Sequence, residues 1–197
     1  MAYYTREEFV KKYGNTINRV TKGTGIFPET LIDQAILESS GMVDGTSYVG
    51  ASGLSQRANN YFGIKAGSGW KGKVYNVDTG EYTPSGEYYV LKGAAFRAYN
   101  SVEDSMKDYI NVLTKNATYK NNGVFSAKTA ADQARALQKA GYATSPTYAD
   151  TLIRLQATAK EYLQKTKSFA KENWMAISVT MIGLIGLTYY LVQKKQK

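Results

Sequence analysis

The chain contains no cysteine and no histidine among its 197 residues. Without a thiol or an imidazole, proton transfer and bond cleavage fall largely to carboxylates. The same two absences remove zinc's preferred ligands and rule out a disulfide framework, so neither a metal nor an organic cofactor is expected. No internal repeat or low-complexity tract occurs. The N-terminus, Met1-Ala2-Tyr3-Tyr4-Thr5-Arg6-Glu7-Glu8, lacks the basic start and apolar run of a secretory signal peptide.

Positive charge is abundant. The 25 Lys plus Arg outnumber the 16 Asp plus Glu for a formal charge of +9, which favours a polyanionic partner such as a bacterial wall, an anionic membrane surface or nucleic acid. The basic residues are scattered singly and gather only near the end, at Lys160, Lys165, Lys167, Lys171, Lys194, Lys195 and Lys197. A nucleic-acid reader shows a concentrated stripe or a groove-binding module, so no nucleic-acid partner is expected.

Trp174 to Val192 holds nineteen consecutive residues without a charge, about enough to cross a hydrocarbon core of roughly 30 Å. Trp174, Tyr189 and Tyr190 stand where interfacial aromatics sit, and lysines flank both ends. This reads as a C-terminal transmembrane helix with a lipid membrane as partner. The chain divides into a domain at 1–160, a basic juxtamembrane segment at 161–173, the helix at 174–192 and a basic tail at 193–197.

Residues 5 to 20 place Phe9, Val10, Tyr13, Ile17 and Val20 at helical spacing, behind Thr5 with Glu8 three residues on, a capping-box pattern. Pro28 opens a second helix ending near Gly41. From Met42 to Asn60 the Gly, Ser, Asn and Thr content predicts a long surface loop with one short helix near Leu54. Alternation between Trp70 and Tyr99, with turns at Asp78-Thr79-Gly80 and Pro84-Ser85-Gly86, predicts a small antiparallel β-element. Ser101 caps a third amphipathic helix, and two more follow at about Thr129 to Ala140 and Thr147 to Gln164. The fold class expected is α+β, a mainly helical body with a small antiparallel β-lobe, lysozyme-like in layout, plus the C-terminal transmembrane helix.

Gln34-Ala35-Ile36-Leu37-Glu38-Ser39-Ser40-Gly41, then Asn59-Asn60-Tyr61-Phe62-Gly63-Ile64-Lys65, Trp70-Lys71-Gly72-Lys73, Thr79-Gly80-Glu81-Tyr82, Ala95-Phe96-Arg97-Ala98-Tyr99 and Gly141-Tyr142-Ala143-Thr144-Ser145-Pro146-Thr147-Tyr148-Ala149 follow one another in order. This ordered set resembles the glucosaminidase domain of bacterial and phage cell-wall hydrolases, the group of the flagellar peptidoglycan hydrolase and many autolysins. The resemblance implies an endo-β-N-acetylglucosaminidase acting on peptidoglycan glycan strands, for phage entry, lysis or wall remodelling. On the same scaffold a muramidase, a lytic transglycosylase or a catalytically silent wall-binding protein are the alternatives. A wall hydrolase without an export signal but with a membrane anchor points to a virion membrane or the host bacterial inner membrane as its location.

Glu38 ends an apolar helix, where partial burial raises a carboxyl pKa and keeps a proton available for a glycosidic oxygen. In the family, the Glu of this motif is the general acid. Glycoside cleavage passes through an oxocarbenium-like state that a second carboxylate usually stabilises. Glu81 matches the acidic residue of the family's Thr-x-Glu-Tyr segment, with Asp78 and Glu87 as nearby competitors. The resemblance places Asn60, Tyr61, Trp70 and Tyr142 on the substrate, with pinning of its loop as the alternative role for Asn60, whereas Phe62 and Tyr148 read as packing residues. Two departures stand out: Ser145 replaces the family's Asp, and Glu38-Ser39-Ser40-Gly41-Met42 replaces Glu-Ser-Gly-Trp-Gly, which removes a Trp from the cleft wall.

Overall fold

The protein is described by a computed structural model over residues 2–82, 87–143, 145–165 and 168. Helix α1, Arg6–Thr21, starts where its capping signal stands: the Thr5 side chain accepts from the Glu8 amide, and the Glu8 carboxylate accepts from the Thr5 backbone N–H at 2.8 Å. Its buried stripe of Phe9, Val10 and Ile17 meets helix α2, Pro28–Ser39, whose Leu31, Ile32, Ala35 and Ile36 complete that side of the core. Pro28 in the first turn costs no hydrogen bond, because the first amides of a helix have no intrahelical acceptor.

The expected loop after α2 is more ordered than its composition suggests. Strands β1 (Gly41–Val43) and β2 (Thr46–Tyr48) pair antiparallel, with Met42 opposite Ser47. The signal lay in Asp44-Gly45: both take positive φ, 47° and 79°, the backbone that a two-residue hairpin turn requires and that Asp-Gly supplies. Helix α3, Gly53–Ala58, follows, capped by Ser52.

The β-lobe is a long hairpin of β3 (Val74–Tyr82) and β4 (Tyr88–Arg97). Asp78-Thr79-Gly80 is not a turn. It sits within β3 at a register shift between Val77 and Thr79, and Asp78 ties the bulge by accepting from the Gly93 amide at 2.9 Å and from Lys92 at 2.7 Å. Turn-type residues inside a strand mark a bulge as readily as a strand end.

Helix α4, Val102–Lys115, buries Met106, Tyr109, Ile110 and Leu113. A short α5, Ala117–Asn121, which the sequence did not announce, follows directly, and α6 spans Ala130–Lys139. The last described helix, α7, runs over 148–165 and adds Leu152, Ala159 and Leu163 to the core. The α+β, lysozyme-like layout therefore stands: a helical body with a projecting hairpin.

The transmembrane part of the expected architecture does not stand. Among the described residues no helix is long and apolar enough to cross a membrane. The reason is visible in the two longest: α1 carries Arg6, Glu7, Glu8, Lys11, Lys12 and Arg19, and α7 carries Asp150, Arg154, Lys160, Glu161 and Lys165, charges that hydrocarbon does not tolerate. Trp174 to Val192, on which the membrane partner and anchor rested, lies outside the described residues.

Candidate active site

Glu38 stands in the last turn of α2, and that turn is held from several sides. The Ser39 hydroxyl donates to Ala35 O at 2.5 Å and accepts from the Gly50 amide at 3.0 Å, while Ser39 O accepts from the Ser52 amide at 2.9 Å. The Ser40 hydroxyl donates to Ile36 O at 2.6 Å. With both serines turned back onto the helix, Glu38 is the polar group left facing outward. Its side chain reaches solvent, yet burial among surrounding protein pushes its pKa up. The two observations agree for a carboxyl at the rim of packed protein: water touches it, but too little to solvate its charge fully.

Opposite Glu38 lies a wall of phenols. Tyr109 from α4, Tyr142 from the loop after α6 and Tyr148 at the start of α7 all have raised pKa values, first through burial and then through neighbours that include the Glu38 charge. Tyr142 stacks on Tyr148 at 5.5 Å, meets Tyr109 edge-on at 6.1 Å and approaches Tyr119 of α5 at 6.3 Å. One turn below Glu38 on the same face of α2, the buried Gln34 amide donates to the Tyr148 hydroxyl at 2.7 Å and accepts from the Tyr109 hydroxyl. The phenols thus stay protonated donors in fixed positions around the acid.

The Tyr142 loop is fastened independently. Gln138 donates to Pro146 O at 3.0 Å and accepts from the Ala149 amide at 2.7 Å. Ser145, where the resemblance leads one to expect Asp, supplies a turn hydrogen bond by accepting from the Thr147 amide at 3.4 Å. The missing cleft-wall Trp also has a local reason. A Cβ built on Gly41 would stand 2.9 Å from the backbone C and O of Ala51, so no side chain enters there unless that backbone moves.

The remaining sequence-designated residues lie elsewhere. Tyr61 is 3% exposed and stacks on Phe9 at 5.9 Å, in the core beside α1, where burial raises its hydroxyl pKa to about 12. Phe62 is the one that turns toward the site, stacked on Tyr109 at 4.3 Å. Asn60, 1% exposed, donates to Ile64 O and Arg97 O at 3.0 and 2.9 Å and accepts from the Phe62 and Ile64 amides at 3.3 and 3.1 Å. Both ends of its amide are occupied in joining the 60–64 turn to β4. Trp70 borders a different groove, described below. Glu81 lies on β3 opposite Tyr89; its side chain lies outside the described atoms. Its competitor Asp78 is engaged in the bulge, with its pKa lowered first by the Lys92 hydrogen bond. Among the described residues, no group of three or more His, Cys, Asp or Glu side chains is placed to hold a metal ion.

Gln34, Tyr109 and Tyr119 are site residues that sequence reading missed. The available signal was the four-residue spacing of Gln34 and Glu38, which puts both on one helix face.

A carboxyl on a helix end beside a cluster of tyrosines is the setting in which the family comparison decides. Residues 14–170 match the family described as mannosyl-glycoprotein endo-beta-N-acetylglucosaminidase. The chain belongs to this glucosaminidase family of glycoside hydrolases. Among curated relatives, the peptidoglycan hydrolase FlgJ of Escherichia coli K12 is 40% identical over 117 residues, covering 58% of this chain and 36% of its own length. The exo-glucosaminidase LytG of Bacillus subtilis is 33% identical over 140 residues, covering 70% of this chain and 44% of its own. The chain thus spans less than half the length of these relatives. The solved glycoside hydrolase domain of Salmonella typhimurium FlgJ superposes with a TM-score of 0.62 at 28% identity, over 86% of this chain and 98% of that one.

Proposed function

We propose that this glucosaminidase domain is a peptidoglycan hydrolase that cleaves glycan strands internally, as an endo-β-N-acetylglucosaminidase. The observation that carries the reading is Glu38 itself, a solvent-reaching carboxyl in the last turn of α2 whose pKa burial pushes up, which favours its protonated form. Such a group protonates the glycosidic oxygen as the bond to the anomeric carbon breaks, and the leaving sugar departs as an alcohol. Positive charge then develops on the ring. Glu81 on the β-hairpin is the carboxylate assigned to stabilise it or to activate water, unless the substrate's own acetamido oxygen takes that part. Tyr142, more accessible than Tyr109 and Tyr148 beside Glu38, is the phenol assigned to the reacting sugar. The similarity to FlgJ and LytG supports a wall glycan as substrate.

Digestion of purified peptidoglycan with the full chain, followed by mass spectrometry of the soluble fragments, tests this. GlcNAc at the new reducing ends is the expected result, with internal fragments rather than released single sugars. MurNAc reducing ends would make the enzyme a muramidase, anhydro-MurNAc ends a lytic transglycosylase, and no release at all a silent wall-binding protein.

A further inference from the structure

A second groove of ≈ 700 Å³ opens beside Trp70, bounded by Arg97 of β4, by Asp108, Asn111 and Lys115 of α4, and by Asn116 at the α4–α5 corner. Its floor is pre-assembled. Asp108 accepts from Arg97 and from the Tyr99 hydroxyl, both at 2.7 Å, with both members of the ion pair largely buried. The Arg97 guanidinium lies 4.6 Å over the Trp70 ring, and the Trp70 indole N–H donates to Lys73 O at 2.9 Å.

This chemistry selects the occupant. A sugar ring stacks on a bare aromatic face, but the guanidinium covers one face of Trp70. Arg97 and Asp108 neutralise each other, so Lys115 sets the sign of the groove, with the Asn111 amide one turn away on the same helix face. A positive, amide-lined groove fits carboxylates and peptide bonds better than it fits pyranose rings.

Tyr109, adjacent to Asp108 on α4, faces the Glu38 cluster, and Tyr119, two residues past groove-lining Ala117, packs on Tyr142. The α4–α5 corner thus contributes residues both to the Glu38 cluster and to the groove.

We propose that this groove is a specificity site for the carboxylate-bearing peptide substituent of the glycan strand, with Lys115 pairing a carboxylate and Asn111 a peptide amide. The inference rests on the glycan-cleaving reading above and goes beyond it by naming what the enzyme recognises outside the scissile bond.

The test compares peptide-bearing glycan strands with strands of the same length stripped of peptide by an amidase, using the full chain and its Lys115→Gln and Lys115→Glu variants. The parent should show the lower KM on peptide-bearing strands. Lys115→Gln should shrink that preference by about two- to fivefold, as loss of a solvent-exposed ion pair does, with kcat little changed, and Lys115→Glu should shrink it further. Asn111→Ala gives an independent reading from a second exposed position. A parent without preference, or variants that lower activity equally on both strands, would overturn the proposal while leaving the glycosidase reading intact. A parent that cleaves neither strand would overturn both.

Discussion

At the scale of the residue, the proposed chemistry rests on Glu38 and the phenols around it. Glu38→Gln keeps the shape of the side chain but has no proton to give, so turnover on wall fragments should fall by ~10² to 10⁴, with an unchanged circular dichroism spectrum. The acid must be protonated to act, so the parent's kcat should decline as pH rises through the upward-shifted Glu38 pKa. A pH–rate profile should show that limb in the parent and lose it in any residual activity of the Gln variant. Tyr109 makes a separate case, since its hydroxyl donates to a Gln34 oxygen that is fully buried. Tyr109→Phe leaves that oxygen without a donor, and urea unfolding should show a loss of about 1–3 kcal/mol.

At the scale of the element, the β1–β2 hairpin replaces what the sequence reads as a loop, directly after the helix turn that carries Glu38. Its first residue, Gly41, lies against the Ala51–Ser52 backbone, closer than a Cβ permits. Gly41→Ala should therefore destabilise the fold by about 1–3 kcal/mol, the range for forcing an extra methyl into packed structure. Thermal denaturation would measure it, and a stability equal to the parent's would mean that the hairpin yields to a side chain there. The hairpin was legible in Asp44-Gly45 but hidden by composition, because Gly, Ser and Thr signal both loops and short exposed strands. The bulge at Asp78 was obscured for a related reason: a residue that bonds two partners across a strand pair looks locally like a turn former.

At the scale of the whole molecule, α2 carries a second buried carboxylate that the proposed chemistry does not use. Asp33 is fully buried, neither of its oxygens has a hydrogen-bond partner among the described residues, and its pKa is raised to about 8, chiefly by burial and next by the Glu29 charge, against a smaller lowering from Arg6. The sign follows from proton counts. Between an unfolded pKa of about 3.9 and the folded value of about 8, the native state holds a proton that the unfolded chain has lost. Stability contributed by this group therefore falls as pH rises through that window and levels off above it. Asp33→Asn has no proton to hold in either state. Its melting temperature should exceed the parent's at pH 7, and the difference should close as pH approaches 4. A pH-independent difference would mean that Asp33 is ionised in the fold.

The sequence by itself determined most of the helices, their caps and the long strand pair, and it singled out Glu38 as the candidate acid, because each reading depends on short-range order: a Thr with a Glu three residues on, a Pro in a first turn, alternation along a strand, a carboxyl after an apolar run. Tertiary structure alone decided which aromatic rings meet that acid. Tyr61 and Phe62 are neighbours in the chain, yet one stacks on α1 and the other on Tyr109 beside the site. Gln34 reaches partners 75 and 114 residues away. Contacts of that separation are set by how helices pack across a shared core, where complementarity of shape and hydrogen bonding between distant segments, rather than local pattern, selects the neighbour.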